Sequence, residues 1–194
     1  MTTFLILHGF ENHRPEGHWQ HWLAGRLGDR GHEVRYPQLP EPDAPVLGDW
    51  LAALRGELRP PAGGGEFVVV AHSLAVLLWL QAAARTPDEL TADRVLLVAP
   101  PSPAVTASIP EIAGFGTDPG LDLGAVRLKA PTRLVYGEGD PYCPEGAAVH
   151  YGDPLSLDRD LVVSGGHLDM AAGYGAWPSV LEWCEDPSAR LRGR

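Results

Sequence analysis

The stretch from Phe67 to Arg85 leaves this chain little freedom in how it can fold. FVVVA (Phe67 to Ala71) is apolar at every position and rich in β-branched residues. It runs with no intervening turn into LAVLLWLQAAAR, an apolar segment of helical character that ends at Arg85. A strand without polar alternation is buried on both faces, as strands are in a parallel sheet covered by helices. A strand leading directly into such a helix is one unit of an α/β fold.

The rest of the chain repeats the alternation. TFLILH (Thr3 to His8) reads as a buried strand, and the segment from His18 to about Arg30 as a helix stopped by Gly31. That helix aligns Trp19, Trp22, Leu23 and Leu27 on one face, expected to be core. EVRY (Glu33 to Tyr36) is a short strand broken by Pro37. A helix from Pro45 carries Leu47, Trp50, Leu51, Leu54 and Leu58. RVLLVAP (Arg94 to Pro100), TRLVYG (Thr132 to Gly137) and DLVVS (Asp160 to Ser164) complete six strands. A last helix is expected over about Gly175 to Cys184, with Pro178 in its first turn. Residues Pro101 to Lys129 are rich in Pro, Gly, Ala and Asp and read as a long loop with one short helix at most, a length that in a compact domain tends to serve function. The expected architecture is a three-layer α/β fold. Its six-stranded, mainly parallel sheet carries helices on both faces and has no large cap domain.

At 194 residues the chain fits one domain, expected over 1–186, with a polar, Arg-rich and mobile tail over 187–194. The net charge of −10 repels phosphate backbones and anionic membranes, so neither nucleic acid nor membrane is an expected partner. A monomer is favoured. The two cysteines, Cys143 and Cys184, are too few for a disulfide framework and match no zinc spacing, so buried free thiols are expected. The first apolar run is too short for a signal peptide, which points to a cytoplasmic protein.

In an open parallel sheet, sites form at the C-terminal ends of the strands. Three such ends carry suggestive residues: A-H-S-L-A (Ala71 to Ala75), G-E-G-D-P (Gly137 to Pro141) and G-G-H (Gly165 to His167). Ser73, Asp140 and His167 therefore occur in the chain order of an α/β-hydrolase triad. A serine hydroxyl needs a base to become a nucleophile at neutral pH. An imidazole can take the proton and return it to the leaving group. A buried carboxylate fixes the imidazole tautomer. The positions two before and two after Ser73 are Ala71 and Ala75, where the usual turn has glycine. The backbone N–H groups of Leu74 and Phe10 are the expected oxyanion donors, the first at a helix N-terminus. No cofactor and no metal are expected.

The sequence resembles the RBBP9/YdeN group of small serine hydrolases within the α/β-hydrolase superfamily. The resemblance rests on HGFENHRPEGHWQHW, LPEPDAP, HSLA with Trp79 downstream, VAPPSP, GDPYC and GGHLDMAAGYGAWP, which follow the family's order along nearly the whole chain. It implies a compact hydrolase acting on small esters, thioesters or amides, with Ser73 as nucleophile, Asp140 as acid and His167 as base.

Each residue also has a plainer reading. Ser73 can simply cap the following helix, and Asp140 can be a turn residue. Glu138 and Asp153 rival Asp140, His150 rivals His167, and Asp169 can bond locally. His13, His18 and His21 invite a metal site, but the better reading makes the loop from Phe10 to Trp19 a rim of the active site. Trp177 can pack near His167, with a core role favoured. The competing function is a weak or inactive protein-binding module on the same scaffold.

Overall fold

The computed structural model describes residues 1–61, 63–116 and 121–194. Its centre is one six-stranded sheet in the order β2-β1-β3-β4-β5-β6, every adjacent pair parallel. The strands are β1 (Thr3–Leu7), β2 (Glu33–Arg35), β3 (Phe67–His72), β4 (Arg94–Val98), β5 (Thr132–Gly137) and β6 (Asp158–Val162). The helices are α1 (Trp19–Asp29), α2 (Leu47–Glu57), α3 (Leu74–Arg85), α4 (Pro103–Ser108) and α5 (Pro178–Glu185).

The two faces of the sheet build separate cores, because successive side chains of a strand point to opposite sides. Leu5, Leu7, Val69, Ala71 and Leu97 join α2 and α3 on one face. Phe4, Ile6, Val68, Val70, Leu96 and Val98 join α1 and α5 on the other. The central strands β1, β3 and β4 are buried on both sides, as their unbroken apolar runs require. Trp19 and Trp50 are fully buried in these cores. Trp22 is not a core residue: it is half-buried, with the Arg26 guanidinium over its ring.

Several boundaries differ from the sequence reading. β6 begins at Asp158, two residues before the expected start, and α5 begins at Pro178 rather than near Gly175. The β6 shift has an electrostatic origin. Asp158 of this edge strand pairs with Arg133 and Arg190, so a charged residue that looks like a breaker is held in the ladder. In the long segment after β4, residues 103–108 form α4, capped by the Ser102 hydroxyl, and single 3-10 turns follow at Ala113–Phe115 and Leu123–Ala125. The part of that expected loop over 117–120 lies outside the described residues.

Residues 187–194, expected to be a mobile tail, are tied down. Leu191 is buried, and its N–H donates to Asp160. The Arg192 carbonyl accepts from Trp177 Nε1 and from the Ser179 hydroxyl. No helix among the described residues is long and apolar enough to cross a membrane. Cys143 and Cys184 are both buried and unpaired.

Candidate active site

Ser73 sits between the last residue of β3 and the first of α3, with φ 56° and ψ −123°. A non-glycine residue at positive φ is strained, and such strain is retained where the surroundings over-determine it. Here the Ser73 N–H donates to the Val98 carbonyl, and its own carbonyl accepts from Val76. The hydroxyl makes no helix-capping bond. The plain N-cap reading of Ser73 is therefore replaced: its side chain is turned out of the helix toward His167. Ala71 and Ala75 are both fully buried and fit inside the turn.

The side chains of Ser73, His167 and Asp140, far apart in the chain, form one relay. Ser73 Oγ lies 2.9 Å from His167 Nε2. His167 Nδ1 lies 2.9 and 3.0 Å from the two oxygens of Asp140. A carboxylate can only accept, so Nδ1 carries the imidazole hydrogen and Nε2 is free to accept from the serine hydroxyl. Asp140 is buried, and its Oδ1 also accepts from the Tyr142 N–H at 2.8 Å. The Tyr142 ring stands 4.5 Å from the His167 ring, centroid to centroid.

Two close backbone approaches make this relay possible. A Cβ on Gly9 would fall 2.7 Å from Ser73 Cβ, so only glycine lets the loop after β1 press against the serine. A Cβ on Gly137 would fall 2.1 Å from the Gly166 carbonyl, so the loops bearing Asp140 and His167 meet across that residue. The Gly166 N–H also donates to the Glu138 carbonyl.

Around the relay lies a set of neutral histidines. His8 donates through Nδ1 to the Gly9 carbonyl and accepts through Nε2 from the Leu39 N–H, pinning the loop after β1. Burial pushes His8 down to about 4. His72 is buried beneath His167, and its Nε2 lies 3.1 Å from the His167 carbonyl. A carbonyl only accepts, so His72 Nε2–H is the donor. Burial holds His72 well below the ordinary histidine value, helped by His167 and His18 nearby. The Phe10 and Leu74 N–H groups, expected as oxyanion donors, have no hydrogen-bond partner among the described residues. Both residues line a cavity of about 260 Å³ that opens onto Ser73 and His167.

The rival residues are elsewhere engaged. Glu138 accepts from the Ser164 N–H, and Asp153 pairs with Arg159. His150 pairs with Glu145 at 3.3 Å. Asp169 accepts locally from the Ala172 N–H, yet it also lines the cavity. His13, His18 and His21 take separate partners: Asp43, the Gln20 N–H and the Arg14 carbonyl. Trp177 packs edge-on against Trp19, which in turn meets His72, so it lies behind the site. Burial pushes the Cys143 thiol up to about 12, which leaves it inert beside Asp140.

Sequence reasoning missed Tyr142 and His72 as site residues. Tyr142 was findable, two residues after Asp140 at a strand end. The expected rim from Phe10 to Trp19 does line the cavity, through Phe10, Glu11, Asn12, Pro15 and His18, and His18 also caps α1.

The chain is similar to known proteins over nearly its whole length. A family model described as serine hydrolase matches residues 4–185. The crystal structure of the ydeN gene product from B. subtilis is similar at a TM-score of 0.77 and 22% identity, over 95% of this chain and 97% of that one. A protein described as a YdeN-like hydrolase from Pectobacterium atrosepticum gives 0.73 and 23%, over 95% and 89%. Est1E from Butyrivibrio proteoclasticus, solved with ferulic acid bound, gives 0.61 and 17%, over 84% and 79%. At these identities the likeness is one of fold. No curated protein matches the chain in sequence.

Proposed function

The chain belongs to the serine hydrolase family, and from that premise we propose that it cleaves small ester, thioester or amide bonds through an acyl-enzyme on Ser73. The supporting observation is the relay in which Ser73 Oγ meets His167 Nε2 at 2.9 Å while Asp140 holds Nδ1.

In the first half of the cycle the Ser73 hydroxyl attacks the substrate carbonyl carbon and its proton passes to His167 Nε2. Asp140 keeps the ring in the accepting tautomer and stabilises the imidazolium. The negative oxygen of the tetrahedral intermediate is held by the Phe10 and Leu74 N–H groups, the latter at the positive end of α3. Collapse of the intermediate breaks the bond to the leaving group, which takes the proton back from His167. In the second half water enters, His167 removes its proton, and hydroxide adds to the acyl carbon. The acid product leaves as Ser73 regains its hydrogen.

The small cavity suits short acyl groups. Its apolar lining includes Phe10, Ile109 and Ile112. A fluorophosphonate probe followed by peptide mapping tests the assignment. Modification confined to Ser73, and lost in Ser73→Ala, is the expected result. An unmodified wild-type protein, or a label on another residue, refutes it.

A further inference from the structure

The cavity has two chemically different walls, one on each side of the strand ends. Ile112 belongs to the core built by α2 and α3, and Phe10 and Ile109 pack against that core. The opposite wall carries His18 and Asp169, beside Trp19 and Leu168 of the core built by α1 and α5. The first wall is apolar at Phe10, Ile109 and Ile112. The second presents a hydrogen-bond donor and a charged acceptor that the hydrolytic cycle does not use.

The donor follows from the hydrogen bonding of His18. Its Nδ1 accepts the Gln20 N–H at 3.2 Å, so the neutral ring carries its hydrogen on Nε2. His18 is only 4% exposed and lines the cavity. Nε2 has no partner among the described residues, yet it is not sealed from solvent among the orphaned buried atoms. Burial pushes His18 down to about 4, so near neutral pH it is an uncharged donor. The acceptor is Asp169, which lines the same cavity as His18. Its Oδ1 is engaged by the Ala172 N–H, while Oδ2 has no partner among the described residues.

We infer that His18 and Asp169 form a leaving-group subsite for short-chain acyl esters of polyhydroxylated alcohols. His18 Nε2–H donates to one hydroxyl oxygen of the leaving group, and Asp169 accepts a hydrogen from the same or the adjacent hydroxyl. The acyl chain then lies against Phe10, Ile109 and Ile112. Glu11 also lines the cavity, so two carboxylates and a net charge of −10 disfavour anionic leaving groups. The subsite rests on Ser73 being the nucleophile. It goes beyond that reading by naming the alcohol.

The test compares two butyrate esters with the same three-carbon leaving-group skeleton: glyceryl 1-monobutyrate, which has two free hydroxyls, and propyl butyrate, which has none. Wild-type protein is expected to favour the glyceryl ester in kcat/KM by about tenfold, the scale of one charge-assisted hydrogen bond. Asp169→Asn keeps an oxygen for the Ala172 N–H and removes the charge. His18→Asn keeps a capping acceptor for the Gln20 N–H and withdraws the donor. Each is expected to bring the ratio of the two kcat/KM values down toward one. Circular dichroism and fluorophosphonate labelling establish that each variant is folded. A wild-type ratio near one, or a ratio unchanged in both variants, overturns the subsite. If wild-type protein is labelled at Ser73 and the ratio is one, only the subsite falls. If it is neither labelled nor hydrolyses either ester, the nucleophile assignment falls and the subsite with it.

Discussion

Gly9 lies so close to Ser73 that a single added methyl would come within 2.7 Å of the serine Cβ and 3.1 Å of its Oγ. The same loop carries Phe10, which lines the cavity and whose N–H is the proposed oxyanion donor. Gly9→Ala must therefore move either the hydroxyl or the proposed oxyanion donor. Loss of one such donor lowers kcat by about 10²–10³. Steady-state kinetics on a short-chain ester are expected to show a fall of that order, and wild-type kcat in this variant would contradict the packing.

Asp140→Asn should leave the geometry intact while favouring the wrong tautomer of His167, and kcat is expected to fall about 10⁴-fold. Glu138→Gln is the control. Its carboxylate faces the Ser164 N–H and not the imidazole, so it should stay within a few-fold of wild type. The reverse ranking would reassign the acid.

His72 acts on the site through backbone. Its Nε2–H is the buried partner of the His167 carbonyl. His72→Leu fills similar space and leaves that carbonyl unpaired, which costs about 1–3 kcal/mol. Urea unfolding should register the loss, together with a lower kcat at unchanged KM. Unchanged stability would show that the bond carries no weight.

The buried histidines make the fold sensitive to acid. His8 and His18 titrate at about 4 in the folded chain, against an ordinary value of 6.5, because burial disfavours the imidazolium. Between those values the unfolded chain binds more protons than the folded one, so stability rises with pH. This contribution is complete above about 6.5 and is lost as pH falls toward 4. For each of the two histidines it amounts to about 3 kcal/mol. His72 shifts in the same direction. Urea midpoints measured from pH 7 to pH 4.5 should decline steadily, and a flat profile would contradict the burial of neutral rings.

The sheet was legible because its central strands are buried on both faces, which writes β1, β3 and β4 as unbroken apolar runs. The relay was legible for a related reason: a polar residue at the end of such a run has nowhere to go but the rim of the sheet. What stayed hidden depends on partners distant in the chain. Asp158 looks like a breaker until Arg133 and Arg190 neutralise it in the edge strand. The C-terminal residues look like a free polar tail until Leu191 is buried and the Arg192 carbonyl meets Trp177. The rim loop from Phe10 to Trp19 was legible, but not which of its histidines lines the cavity: His18 does, while His13 and its neighbour His21 take other partners.

The central claim is that Ser73 carries the acyl group between the two halves of the reaction. Rapid mixing of the protein with 4-nitrophenyl butyrate, quenched in acid and read by intact and peptide mass spectrometry, tests it most directly. The account predicts one butyryl group per chain on the peptide containing Ser73, formed in step with the first turnover and absent from Ser73→Ala. Turnover with no acyl group on Ser73, or with the group on another residue, would contradict it.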